Sequence, residues 1–274
     1  VGAVVFGVLS ALIWGSGDFC GGLATRRAPL LAVLVASQAV GLAALVLLAL
    51  LWGEPWLSPG SLAWSAAAGL AGTVGLGALY TGLARGAAAV VAPVSGVLAA
   101  ALPVIAAALE SGLPGAGKLV GFAVALAGIW LVSRTGAAQD GRSGLAFGLL
   151  AGFGFGSFFI LVHRAGGEST FWPLAVARAV ALLVLLPALL RPPGAGQLRR
   201  VPAAAVGSGL LDTGGNICFV LAGQLGRLDV ASVLASLYPA ATVLLARLVL
   251  HEHISRAQQL GLLLTLGAIA LIAG

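Results

Sequence analysis

Asp212 and Asn216 stand four residues apart in an apolar run, with Phe219 and Gly223 continuing the same helical stripe. A charge inside hydrocarbon is costly, so an acid in such a run is a functional candidate: it binds a proton or a cationic group, and Asn216 orients the solute. An acid hydrogen-bonded to a neighbouring helix for packing is the alternative of equal weight. Asp18 lies one turn beyond Trp14, which itself follows Ser10, giving the first apolar run a polar and aromatic face. In the sixth run Phe155 and Phe159 form the matching stripe, with His163 a turn further on. Two such stripes facing one another are expected to line a cavity for a partly apolar solute. Tyr80 shares a face with Thr73 and Gly77, and Ser232 shares one with Ser236; membrane hydroxyls commonly bond their own backbone, so only convergence makes them candidates. The candidate solute-binding residues are Trp14, Asp18, Tyr80, Phe155, Phe159, Asp212, Asn216 and Ser236. Arg178, inside the seventh run, pairs with an acid or snorkels to an interface, and Arg247 does likewise near Glu252. Trp52, Trp56 and Trp64 read as interfacial anchors.

Other chemistries find little support. His251-Glu252-His253 puts adjacent residues on different sides of a helix, and the spacing HExxH is absent, so no metal site is expected. The histidines are His163, His251 and His253, too few and too scattered for a nucleophile with its base, and no catalytic residue is assigned. There is no GxxxxGK[ST] loop to cradle a nucleotide, so transport driven by ATP is not expected and no cofactor is called for. Cys20 and Cys218 both lie in apolar runs and read as small packing residues.

The elements that must position these residues are membrane helices. Of the 274 residues 60% are hydrophobic and 8% charged, against about 45–50% and 25% in a soluble domain. The net charge of +6 is carried by Arg residues dispersed singly or in pairs, which argues against nucleic acid as a partner. With no Met, the chain is expected to lack its initiator and short tails. The apolar runs predict an all-α polytopic membrane protein with ten transmembrane helices, near 3–24, 30–52, 61–84, 88–109, 116–134, 143–164, 171–190, 203–225, 229–250 and 257–273. Glycines at helical spacing, such as Gly148, Gly152 and Gly156 or Gly117 and Gly121, fit close helix packing better than solute contact. Pro93, Pro103 and Pro239 each remove a backbone hydrogen bond inside a span and can bend it.

The chain also repeats itself. A slide of 141 residues sets Gly7, Trp14, Gly15 and Ser16 over Gly148, Phe155, Gly156 and Ser157. A slide of 142 sets Gly72, Leu79, Leu83, Arg85 and Glu110 over Gly214, Leu221, Leu225, Arg227 and Glu252. Two copies of an odd number of spans must cross the bilayer in opposite senses, so residues 1–135 and 142–274 are expected to be inverted five-helix repeats joined by a linker at 134–142. Where the copies agree, as at Glu110 and Glu252, a structural or gating role is expected; where they differ, as at Asp18 and Asp212, the solute is. Arg26, Arg27, Arg85, Arg134, Arg142, Arg191, Arg199, Arg200 and Arg256 follow the odd spans, against Lys118, Arg164 and Arg227 after the even ones, which puts the odd-span loops in the cytoplasm and the termini outside.

Ala11-Leu12-Ile13-Trp14-Gly15-Ser16 resembles the opening motif of EamA-like proteins of the drug/metabolite transporter superfamily. Residues Gly223 to Pro239, GQLGRLDVASVLASLYP, and His251-Glu252-His253-Ile254-Ser255 resemble that family's eighth and ninth spans, and Tyr80 to Gly86 with Glu110 is the fainter first-half counterpart. The resemblance implies an exporter or facilitator of small metabolites or drugs in the inner membrane, with a cavity lined by spans 1, 3, 4, 6, 8 and 9 and both termini in the cytoplasm, opposite to the charge count. The chain departs from the family at Gln38, where an Arg is common, and at Asp18, where an uncharged residue is. The expected function is a secondary transporter working by alternating access, with an uncoupled facilitator or channel and a membrane-embedded enzyme as alternatives. Its partners are a small-molecule solute, protons and the lipid bilayer, and it acts as a monomer or homodimer.

Overall fold

A computed structural model describes residues 1–85, 88–133, 141–167, 169–190 and 201–273. Most of the expected linker, with Arg134, lies outside the described residues, as do Arg191, Arg199 and Arg200. The apolar runs become α1 (Gly2–Thr25), α2 (Leu30–Trp52), α3 (Pro59–Ala84), α4 (Ala88–Ser111), α5 (Ala116–Ser133), α6 (Gly141–Ala165), α7 (Phe171–Leu190), α8 (Ala203–Leu225), α9 (Leu228–Ala235), α10 (Tyr238–Leu250) and α11 (Arg256–Ala273). They make ten helical segments long and apolar enough to cross a membrane, α9 and α10 together forming the ninth. Among the described residues the protein is all-helical, and it is a multi-pass membrane protein. Its outer surface carries large apolar side chains such as Leu51, Leu109, Leu183 and Leu248, as lipid contact requires.

The break in the ninth span follows from Pro239. Its ring would clash with the carbonyl four residues back and it has no N–H to donate, so the helix stops at Ser236 and restarts with Pro239 in its first turn. Pro93 and Pro103, by contrast, sit inside an unbroken α4.

Glycine sets which helices meet. A Cβ on Gly148, Gly152 or Gly156 would lie within 3 Å of Val94, Leu98 or Leu102, so α6 runs parallel to α4 along the stripe the spacing predicts. Gly154 meets the backbone of Gly75, bringing α6 antiparallel onto α3, and Gly17 and Gly21 meet α8 near Asp212 and Ser208. Gly121 packs on Ile272 of α11, whereas Gly117 faces open space. The main partnerships are α1 with α8, α3 with α6, α2 with α7 and α5 with α11. Exchanging first-half and second-half spans turns the first pair into the second and leaves the other two unchanged.

Candidate functional site

Arg178, near the middle of α7, is a buried cation held by two partners. Its Nη1 donates to Gln38 Oε1 of α2 at 2.7 Å and its Nη2 to Asp212 Oδ2 of α8 at 2.5 Å. The Arg178 side chain is 7% exposed and that of Asp212 44%, so the cation is enclosed while the acid still borders open space. That space is a pocket of about 380 Å³, mouth included, lined by residues of α2, α3, α6, α7 and α8. Ala68, Gly69, Gly72, Ala177 and Ala181 are small enough to leave it empty, and Asn216 and Thr73 add polar groups to its wall. The resemblance implied a cavity lined by spans 1, 3, 4, 6, 8 and 9; this pocket instead lies toward α2 and α7.

The reason is an aromatic plug. Trp14 was expected to face Phe159 across a cavity, but the two rings stack directly, 5.5 Å apart and 12° from parallel. Phe219 stacks on Trp14 at 5.9 Å and Tyr238 meets it edge-on at 6.4 Å. Trp14 is 8% exposed and Phe159 5%, so these two candidates fill the centre rather than line a void. Large rings brought face to face with nothing between them bury apolar area against one another. The Trp14 Nε1 donates to the Asp212 carbonyl oxygen at 3.2 Å, which ties the plug to α8 beside the acid. Phe155 sits in the α3–α6 seam against Gly75. His163, one turn past Phe159, lies against Gly223 of α8.

Asp18 is exposed although it lies well inside α1. It is within electrostatic reach of Asp212, Tyr80 and Tyr238, from α8, α3 and α10, so it faces the interior of the bundle and not lipid. Exposure and an inward direction together mean that Asp18 borders an open cleft in the bundle. Gly22 and Gly77, one turn along α1 and near Tyr80 on α3, face open space in the same part of the bundle. Asn216 Nδ2 donates to the Asp212 carbonyl at 2.6 Å, a bond within its own helix. Ser236 is fully buried at the α9–α10 break, and its hydroxyl has no partner among the described residues. The structure thus brings Asp18 and Tyr80 within electrostatic reach of Asp212, sets Asn216 in the pocket beside Arg178, stacks Trp14 on Phe159, and leaves Phe155 and Ser236 in packing positions.

The face of the bundle where α1 begins is sealed. Gly53 ends α2 in the left-handed conformation, φ 63°, a turn that glycine takes without strain, and this turns Glu54 toward α7. Glu54 then accepts from Ser169 Oγ at 2.5 Å, Thr170 N–H at 2.8 Å and Phe171 N–H at 2.9 Å, so a carboxylate from one loop caps a helix start 117 residues away. Arg227, between α8 and α9, donates to the Gly112 and Ser111 carbonyls at 2.8 and 3.3 Å and pairs with Asp229 at 2.8 Å. The Asp229 side chain is completely buried, and its hydrogen bonds hold the Arg227 guanidinium above its ordinary pKa. Arg164 pairs with Glu110 on the same face. At the opposite face Arg26 meets Glu252 at 3.2 Å with both side chains more than half exposed, and Arg247 reaches only the Glu252 carbonyl.

Sequence reasoning missed Glu54 entirely and left Arg178 and Gln38 outside the candidate site. Glu54 precedes a proline in a short turn and carries no local signal of its distant partner. For Arg178 the signal was present, since an arginine at midspan needs an acid and Asp212 was the other midspan charge.

In sequence, residues 142–274 match the EamA-like transporter family. No curated protein matches the chain. A protein of known crystal structure, 19% identical, aligns over 98% of this chain and 95% of its own with a TM-score of 0.76, a likeness of fold. The second half of the chain, residues 142–274, is thus EamA-like in sequence, and ten segments among the described residues are long and apolar enough to cross a membrane.

Proposed function

We propose that the chain is a secondary transporter of the cytoplasmic membrane, exporting small metabolites or drugs by alternating access around a central site. The observation that carries this reading is the pairing of a sealed face with an open cleft that ends at midspan charges, the form expected of one end state of such a cycle. In this scheme Asp18, Tyr80, Asp212 and Asn216 contact solute, with a proton as the ion that the carboxylates would exchange. Trp14, Phe155, Phe159 and Ser236 belong to the barrier that must rearrange for the other face to open. Residues 1–135 and 142–274 are the two inverted repeats that rock against each other, a division supported by helix pairs that interchange when the halves are swapped. The working unit is a monomer or homodimer in the bilayer.

Reconstitution into proteoliposomes tests this. Solute flux should fall at least tenfold in Trp14→Ala and in Asp212→Asn, and normal flux in both variants would remove the site. Accumulation driven by an imposed pH gradient is expected, whereas an uncoupled facilitator would only equilibrate its solute.

A further inference from the structure

Six carboxylates lie among the described residues, and five of them have partners. Glu54 accepts from the start of α7, Glu110 pairs with Arg164, Asp212 with Arg178, Asp229 with Arg227 and Glu252 with Arg26. Asp18 has neither an ion pair nor a hydrogen bond among the described residues, yet it lies inside the membrane-spanning α1 and is exposed. Asp212 looked in sequence like the acid that would meet a cation, but its charge is already matched by the enclosed guanidinium of Arg178. With Asp212 matched by Arg178, Asp18 is the carboxylate at the centre of the bundle that has no counter-ion among the described residues. Two tyrosines from different helices, Tyr80 on α3 and Tyr238 on α10, stand within electrostatic reach of it. Tyr238 is half-buried and edge-on to Trp14, so aromatic surface lies within reach of the acid. A single carboxylate among aromatic rings is matched by a positively charged nitrogen on an apolar body, which gains from the charge and from the ring faces together.

We propose that the central cleft binds an organic monocation, its ammonium group held by Asp18 and its apolar part lying against Tyr80 and Tyr238. The inference rests on the transporter reading for its site and adds the class of solute. Asp18 is the binding carboxylate, and the Arg178–Asp212 pair is the fixed wall beside it. An anion finds no free counter-ion at Asp18 among the described residues; an amino acid brings its own carboxylate and loses part of the gain.

Binding to the purified full-length chain in detergent tests the proposal, using benzyltrimethylammonium, phenylalanine and phenylacetate as cationic, zwitterionic and anionic probes of similar size. Each is titrated against thermal unfolding, since a ligand that binds the folded state raises its midpoint. Benzyltrimethylammonium should bind most tightly and phenylacetate not measurably. Asp18→Asn should weaken the cation at least tenfold, and Asp18→Glu, which keeps the charge, should bind it more tightly than Asp18→Asn does. Preference for phenylacetate or phenylalanine, no binding of benzyltrimethylammonium, or equal affinity in wild type and Asp18→Asn would overturn it. Should Asp18→Asn not fold, the order of the three probes on the wild type decides alone. Flux of an uncharged or anionic solute despite failed cation binding would leave the transporter reading standing; cation binding with no flux of any solute would instead contradict that reading.

Discussion

Arg227 and Arg85 stand 142 residues apart at matching places in the two halves, and they meet different surroundings. Arg227 donates to two carbonyls at the end of α4 while Asp229 fixes it from the start of α9. Arg85 is exposed and lies over the Phe147 ring at 4.8 Å. The residue that would answer Asp229 in the first half is Ala87. The ninth span shows the same contrast within one helix: every residue of α9 is buried, whereas in α10 only Ala241 is. A repeated cation thus becomes a latch only where a neighbouring acid holds it in place, and the face with that acid is the sealed one.

Removing the latch should cost most. Arg227→Ala leaves the Asp229 carboxylate buried without its counter-ion, an expected loss of about 3–5 kcal/mol in denaturant unfolding. Arg26→Ala, which breaks an exposed pair on the other face, should cost less than about 1 kcal/mol in the same assay. Equal losses would erase the difference between the faces. Glu54→Ala comes next, at about 2 kcal/mol, because it removes hydrogen bonds between a charged oxygen and the uncapped start of α7. Gly154→Ala should follow at about 1–3 kcal/mol, its Cβ falling 2.6 Å from the Gly75 Cα, while Gly77→Ala on the cleft side should stay within about 0.5 kcal/mol. Ser236→Ala should be the mildest, neutral or stabilising by less than about 1 kcal/mol, since it deletes a buried hydroxyl that has no partner among the described residues.

How far these features were legible in the sequence depends on the distance between partners. Spans were readable because a membrane crossing needs a continuous apolar run, and the expected limits differ from the helices by two residues or fewer. The glycine stripe on α6 was readable for the same reason, being a local period. The break before Tyr238 was foreshadowed by Pro239. The Glu54 cap was not, because its partners are more than a hundred residues away and lie on a different helix. Trp14 and Phe159 were correctly set on facing stripes, but no pattern tells whether facing rings leave a void or close it. The difference between Asp18 and Asp212 was likewise hidden: both are midspan acids, and only the position of Arg178 separates a paired one from an unpaired one.

The central claim, a cleft open to one face and sealed from the other, is tested most directly by cysteine labelling. With Cys20 and Cys218 replaced, single cysteines at Gly77 and at Ala231 are exposed to a membrane-impermeant maleimide added to both sides of the membrane. The account predicts that Gly77→Cys reacts at least tenfold faster than Ala231→Cys, which sits in fully buried α9, and that adding Arg227→Ala narrows the gap. Equal rates at the two positions, or faster reaction at Ala231→Cys, would contradict it.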